Sequence, residues 1–468
     1  MNRFWQAFTN LFRIEDLRNR LFFTLALLAV YRLGAHIPTP GINTDVLEEI
    51  FKQSAAGSML GIFDLFSGGN FRRLTIFALG IMPYITSSII LQLMTVVFPY
   101  LERLQKEGEL GRRKITQYTR YLTIVLSIVQ SSTIATTLQA QTYSGQSLVY
   151  HPGLGFWLMT VLTLTTGSAF IMWLGEQISE RGIGNGMSLI IFVGIVVGLP
   201  RAIFDLYEKT KTQAWGAFTP MVLILLVALM VAVVAFIVFV EGAQRRIPVQ
   251  YAKRVVGRRV MGGQATYLPL RVNSGGVIPP IFASSLLAFP ATAGLLLGSR
   301  WPFVKHIADT LRWGEPLYTA LYVAMIILFA FFYVGIVFNP TELADNMRKN
   351  GGFVPGIRPG RSTSEYVSTI LKRLTFIGAV YLALVCVLPE WMIAGIHLNH
   401  LPWWMGGNWF DRWPSWILNG LGVQFYFGGT SLLIVVGVAM DTVQQLEAQL
   451  VMRNYEGFAR KGRLRGRR

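Results

Sequence analysis

Charge is what this chain has least of. Asp, Glu, Lys and Arg make up 14% of its 468 residues, against about 25% in soluble domains. With 53% hydrophobic residues, there is too little polar material to clothe a water-facing surface, so several soluble domains in a row are excluded and a polytopic membrane protein is the first reading. Cysteine is nearly absent as well. The single Cys386 stands inside an apolar run, which excludes an intrachain disulfide framework and a Cys-ligated zinc site. The five histidines, His36, His151, His306, His397 and His400, never fall into His-Glu-x-x-His, and no Walker-type phosphate loop occurs. No enzyme, resident metal or cofactor is expected.

Long apolar runs are what the chain does have. A helix needs about 20 largely apolar residues to cross a bilayer, and ten candidate spans meet this description: 21–37, 74–98, 121–140, 154–174, 183–199, 217–240, 272–295, 317–338, 374–388 and 417–440. The first is not a cleaved signal peptide, because Arg32 interrupts it and Pro38 and Pro40 follow where small residues would be needed. The formal charge of +18 suggests nucleic acid only until the basic residues are located, since they lie between the spans. With the N-terminus inside, Lys and Arg number 31 in the inward segments 1–20, 99–120, 175–182, 241–271, 342–373 and 441–468. They number 10 in the outward segments 38–73, 139–153, 201–213, 300–315 and 390–415. The positive-inside rule then places both termini in the cytoplasm, and the aromatic run Trp403, Trp404, Trp409, Trp413 and Trp416 falls on the outer side as an interfacial anchor.

Acidic residues are missing from all ten span cores. Glu176, Glu241, Glu390 and Asp441 stand at span ends, which leaves Arg32 and His36 as the only intramembrane groups that titrate or carry charge. An ion-coupled transporter needs an ionisable partner at mid-span. Uncoupled passage is therefore favoured, with a secondary transporter of a small solute as the alternative and a poreless assembly scaffold as a third class.

Ten spans divide into five and five, and an odd-numbered unit repeated in sequence must lie inverted relative to its copy. The second span of each half carries a short match: Gly80-Ile81-Met82-Pro83-Tyr84-Ile85 with Ser87-Ser88, against Gly276-Val277-Ile278-Pro279-Pro280-Ile281 with Ser284-Ser285. Proline and glycine at membrane depth are tolerated where a helix lines a cavity or meets another helix. The expected fold class is thus an all-α polytopic membrane protein with ten transmembrane helices in two inverted five-helix halves. Segment 1–20 is a cytoplasmic N-terminal stretch, 21–213 the first half, 214–440 the second half with loops 241–271 and 341–373, and 441–468 a basic cytoplasmic tail.

Four motifs in this order, Gly80 to Ile85, Gly182-Ile183-Gly184-Asn185-Gly186, Gly352 to Gly360 (GFVPGIRPG) and Gly428-Gly429-Thr430-Ser431, make the sequence resemble the bacterial SecY family over essentially its whole length. The resemblance implies the pore subunit of the Sec translocon in the cytoplasmic membrane. Such a subunit passes unfolded, signal-bearing polypeptides outward and releases hydrophobic segments sideways into lipid. It also implies small partner subunits SecE and SecG, the motor SecA, the ribosome, and signal sequences and nascent chains as substrates.

Within that frame the candidate sites take roles. Segment 57–70 is too short to cross and too apolar for a solvated loop; Leu60, Phe63 and Phe66 fall near one helical face, and Gly57, Gly68 and Gly69 offer hinges. Read by itself it is an amphipathic helix on the outer surface; by resemblance, Leu60, Gly61, Ile62, Phe63, Asp64, Leu65 and Phe66 form a short re-entrant plug. Ile81, Ile85 and Ile89 recur every four residues and share a face, either as helix packing or as an apolar constriction. By resemblance the constriction is a ring of Ile81, Ile85, Ile278 and Ile434, joined by Ile191 and Ile281. Thr86, Ser87, Ser88, Gln92, Gln130, Ser284 and Ser285 are small or polar side chains of the kind that pack or bridge helices, and by resemblance they belong to the lateral gate. The loop 244–271 alternates apolar and basic residues and reads as a basic hairpin. Its Lys253, Arg254, Arg258 and Arg259 suit anionic lipids or ribosomal RNA. Arg358 is presented by a Gly and Pro loop; it is a solvated arginine, or, by resemblance, the residue through which a cytoplasmic partner activates the channel.

Overall fold

Inside a bilayer no water is available to backbone N–H and C=O groups, so an apolar run must satisfy them within itself as a helix. The computed structural model follows this rule. It describes residues 14–44, 46–47, 67–140, 142–143, 146–212, 219–251, 254–256, 259–261, 266–297, 303, 306, 310–311, 314–394 and 429–461. The helices are α1 (Glu15–Gly34), α2 (Met82–Val97), α3 (Pro99–Lys106), α4 (Glu109–Ala140), α5 (Leu154–Arg181), α6 (Gly186–Val197), α7 (Leu199–Lys211), α8 (Thr219–Gly242), α9 (Ile278–Leu297), α10 (Pro316–Val337), α11 (Pro340–Lys349), α12 (Arg361–Ala394) and α13 (Gly429–Lys461). Each of the ten apolar runs carries a helix. Among the described residues six helices, within α4, α5, α8, α10, α12 and α13, are long and apolar enough to cross a membrane. The pair α2 and α3, bent by 100°, makes a seventh if it is one span. Met221, Ile224, Leu225 and Phe239 of α8 stand exposed, a surface that suits lipid and not water.

The chain forms two compact units: one of Met1–Leu206, Ala291–Ala308 and Ile434–Arg468, the other of Tyr207–Pro290 and Asp309–Leu433. In the first, Tyr31 of α1 stacks on Phe77, Phe77 on Phe170 of α5, and Phe170 on Trp173. Beside this stack Ile42, Leu74, Leu79, Leu138, Leu148, Phe156 and Leu164 form a buried cluster. In the second, Tyr318 and Tyr322 of α10 stack on each other, and Phe282 of α9 meets Phe329 of α10 edge to face.

Among the described residues there are seven short strands: β1 (Thr142–Tyr143), β2 (Gln146–Ser147), β3 (Gln244–Tyr251), β4 (Arg254–Val256), β5 (Arg259–Met261), β6 (Thr266–Arg271) and β7 (Gly352–Phe353). The basic hairpin is formed by β3 and β6, antiparallel from Gln244 opposite Arg271 to Val249 opposite Thr266. Its other edge takes β7, with Gln250 opposite Phe353 and Tyr251 opposite Gly352, giving one sheet of order β6-β3-β7.

Helix starts differ from the starts of the apolar runs at several places, and three of them have a clear local cause. The first helix begins at Glu15, six residues early, because Glu15 and Asp16 suit the positive end of a helix dipole; Arg32 then falls in its last turn, where a cation is favoured. His36 lies just beyond, its Nδ1 2.9 Å from the Arg32 carbonyl, so both groups mark a helix end and not mid-span. The second helix begins at Met82 instead of 74, because Gly80 turns the chain at φ +57° and Pro83 sits in the first turn, where its missing N–H costs no helical bond. The helix of the fifth candidate span, α6, begins at Gly186 instead of 183, capped by Asn185, whose side chain accepts from the Met187 N–H at 3.1 Å.

Candidate functional site

In the first unit the Gly80 motif is a helix start. The Ile81 carbonyl accepts from the N–H groups of Tyr84 and Ile85, each at 3.1 Å, which fixes Ile81 one turn before Ile85 on the same face. Ile81 is buried, Ile85 half-buried. Ile191 of α6 and Ile434 of α13 are buried too, the latter at 1% exposure. In the second unit Ile278 opens α9, half-buried, and Ile281 is buried one turn on. The repeated motif has the same backbone form in both copies: Gly276 stands at φ +59°, matching Gly80, and again a proline follows in the first helical turn. The plug residues Leu60 to Phe66 and the aromatic run at 403–416 lie outside the described residues.

The expected gate hydroxyls turn mostly to their own helices. Thr86 donates to the Met82 carbonyl at 3.0 Å, Ser87 to Pro83 at 2.7 Å and Ser284 to Ile281 at 3.0 Å. Ser and Thr inside a helix find the preceding turn's carbonyl before any neighbour. Ser88, Gln92 and Gln130 are half-buried, and Ser285 Oγ is buried with no partner among the described residues. Residues that were not singled out behave alike: Thr119, Thr123, Ser127 and Ser131 donate to the carbonyls four residues earlier along α4, and of these four Ser131 Oγ also reaches across, 3.3 Å from Thr165 Oγ1 of α5. Their four-residue spacing was the available signal. The same two helices are joined by Arg120 Nε and Glu176 Oε1 at 2.7 Å, so Glu176 is paired and not a lone span-end charge.

The Gly182 to Gly186 motif is a crossing point. The Ile183 N–H donates to Thr24 Oγ1 of α1 at 3.1 Å, and the Gly186 N–H to Ser179 Oγ of α5 at 2.9 Å. A Cβ on Gly186 would stand 2.0 Å from the Gly175 carbonyl oxygen, so only glycine lets α6 leave α5 at this distance.

Of the partner-binding candidates, those described lie near the second unit's sheet in sequence, Arg254 and Arg259 on the hairpin tip and Arg358 on the turn after β7. Ile247, Val249 and Leu270 of the hairpin pack with Met347, Val354, Val367 and Leu371 into a small apolar core, while Arg245, Arg246 and Arg271 stand exposed. In the hairpin tip β4 pairs with β5, placing Arg254 opposite Met261 and Arg259 opposite Val256; Lys253 and Arg258 lie outside the described residues. Arg358 is exposed on a turn whose backbone is held: the Ile357 N–H donates to the Val354 carbonyl at 3.1 Å, and Thr363 Oγ1 to the Arg358 carbonyl at 3.0 Å. Among the described residues no group of three or more His, Cys, Asp or Glu gathers to hold a metal ion.

Known proteins match this arrangement along nearly the whole chain. The SecY family profile matches residues 75–443. Protein translocase subunit SecY of Escherichia coli (strain K12) is 48% identical over 455 residues, covering 97% of this chain and 96% of that protein. The same subunit of Aquifex aeolicus (strain VF5) is 45% identical over 453 residues, covering 96% and 98%. Among solved structures, one described as "The structure of a protein conducting channel" aligns with a TM-score of 0.59 at 17% identity over 92% of both chains. Sec61 in the canine ribosome-channel complex from the endoplasmic reticulum aligns with a TM-score of 0.57 at 17% identity, again over 92% of both. These structures speak for the fold; the sequence matches speak for kinship, and by them the chain belongs to the SecY family.

Proposed function

We propose that this protein is the channel-forming subunit of a protein translocase, passing unfolded signal-bearing polypeptides across the cytoplasmic membrane and releasing hydrophobic segments sideways into the bilayer. The observation that carries this function is the near-half identity to protein translocase subunits SecY over almost the full length. In this reading ten helices span the membrane in two inverted halves, the shared backbone form at Gly80 and Gly276 supporting the repeat. Both termini face the cytoplasm, as the basic segments favour.

The mechanism follows from what the residues can do. Ile81, Ile85, Ile191, Ile278, Ile281 and Ile434 form an apolar constriction, and segment 60–66 serves as its plug. A ring without hydrogen-bonding groups disfavours a continuous water column at rest and gives a moving chain nothing to stick to. Selectivity then comes from closure and fit, with no ion-binding group needed. Thr86, Ser87, Ser88, Gln92, Gln130, Ser284 and Ser285 line the lateral exit. Because Thr86, Ser87 and Ser284 already bond within their own helices, few polar bonds between helices hold that exit shut, and an apolar signal helix replaces them at small cost. Energy comes from outside the chain. SecA or a ribosome docks on the sheet β6-β3-β7 and the Arg358 turn, the basic hairpin meeting ribosomal RNA or anionic lipid through Lys253, Arg254, Arg258 and Arg259. SecE and SecG complete the membrane assembly.

Reconstitution with SecE, SecG and SecA in lipid vesicles tests the function. ATP-dependent protection of a signal-bearing precursor from external protease is the expected result. Solute uptake without precursor entry would support the small-solute transporter instead, and signal-independent binding without entry would support a scaffold.

A further inference from the structure

Tyr31 carries a buried hydroxyl that the channel reading leaves without a task. A buried tyrosine O–H needs partners, and this one finds both on a single short turn. It donates to the Ser67 carbonyl oxygen at 3.4 Å and accepts from Asn70 Nδ2 at 3.3 Å. Tyr31, Ser67 and Asn70 are all fully buried, at 3%, 2% and 2% exposure. The ring is fixed as well. It stacks on Phe77 with centroids 5.8 Å apart, and Phe77 stacks on Phe170.

The turn reaches two of the three constriction-bearing elements of its unit, α6 and the start of α2. It is closed internally by the Phe71 N–H donating to Ser67 Oγ at 3.1 Å and the Thr75 N–H donating to the Asn70 carbonyl at 3.0 Å. Gly68, at φ +72°, lies so close to α6 that a Cβ on it would stand 2.6 Å from Gly194 Cα, and Gly194 is one helical turn from Ile191. On its other side the Ser67 Cα lies 3.6 Å from where a Cβ on Gly80 would stand, and Gly80 directly precedes Ile81. One tyrosine hydroxyl on α1 thus holds the turn wedged between the backbones that carry Ile191 and Ile81.

We propose that Tyr31 is a positioning residue for translocation: its hydroxyl locks the 67–70 turn against α6 and Gly80, keeping Ile81 and Ile191 in their resting places, and both of its hydrogen bonds break when a substrate opens the channel. The inference rests on the channel function proposed above. It assigns a signal-selectivity role to a residue outside the ring, plug and gate positions named above.

Tyr31→Phe removes the oxygen and keeps the ring and its stack. In the full chain, reconstituted with its partner subunits in vesicles, the variant should match the parent in abundance, with its thermal transition lowered only slightly by the unpaired Asn70 amide. Its resting ion conductance and its uptake of a precursor with a defective signal should each rise by about fivefold, the factor that one lost hydrogen bond supplies to a two-state balance. Asn70→Leu should act alike, and the double variant should gain no more than the larger single, because both changes break the same pair. A fall in abundance with no gain in conductance or uptake would show a merely structural tyrosine and overturn the proposal. So would unchanged conductance and uptake, or gains that multiply in the double variant. Parent vesicles that take up no signal-bearing precursor would refute the channel function itself, whereas parent vesicles that transport normally beside an unaltered Tyr31→Phe would refute only the role of Tyr31.

Discussion

Gln250 and Phe353 are paired across an antiparallel ladder, so two loops about a hundred residues apart in sequence form one sheet with its own small apolar core. The consequence for Arg358 is positional. Its turn follows β7 directly, so the backbone that presents the exposed Arg358 side chain is anchored to the sheet the basic hairpin belongs to.

Arg358→Glu should therefore leave folding intact and damage coupling. The side chain is exposed and packs into nothing, and surface substitutions of this kind change stability by no more than about 0.5 kcal/mol. Membrane abundance should stay at the parent level while SecA-driven or ribosome-coupled transport falls at least about tenfold, a contact worth about 1.4 kcal/mol. Transport at the parent rate with the charge reversed would remove Arg358 from the docking surface.

Gly186→Ala tests the crossing of α5 and α6. The added methyl would stand 2.0 Å from the Gly175 carbonyl oxygen, and overpacking of a buried site costs about 1–3 kcal/mol. Cys386 is the sole cysteine and is buried, so its reaction with a fluorogenic thiol reagent on heating reports unfolding. The variant's transition should move down by several degrees, about 2–4 °C per kcal/mol in chains of this class. An unmoved transition would mean that the helices separate easily here.

Orientation is read from thiol labelling in a Cys386→Ser background. Single cysteines at Arg246 and at Glu342 should react with an impermeant reagent only when the cytoplasmic face is open. Reaction of either from outside would reverse the charge-based topology.

The constriction is tested at Ile434, buried at 1% exposure. Ile434→Asn should raise ion leak in planar bilayers and restore export of a precursor with a defective signal, at near-normal abundance. A residue of ordinary core would instead lose about 1–3 kcal/mol to an unsatisfied amide, and abundance would fall with neither gain.

Particular residues show how far sequence patterns carried. The existence of the helices was legible because apolar runs need no partner to declare themselves; their ends were not, because Gly80, Gly184 and Asn185 act through backbone conformation and capping inside apolar surroundings that hide the boundary. The hairpin of β3 and β6 could be read from alternation. Its pairing with β7 could not, since a two-residue strand has no period and long-range register leaves no local trace. The gate serines were visible as residue types, but whether Ser87 bonds Pro83 or a neighbouring helix depends on packing. Tyr31 offered no signal at all, its meaning arising only once Ser67 and Asn70 meet it.

The most direct test of a polypeptide path through this chain is a photo-crosslinker placed in turn at Ile85, Ile278 and Ile434, with a signal-bearing precursor arrested mid-transit by a folded C-terminal domain. All three positions should form adducts with the arrested segment, and none with a precursor lacking its signal. Arrested chains that are protease-protected but form no adduct at any of the three would place the path elsewhere and contradict the account.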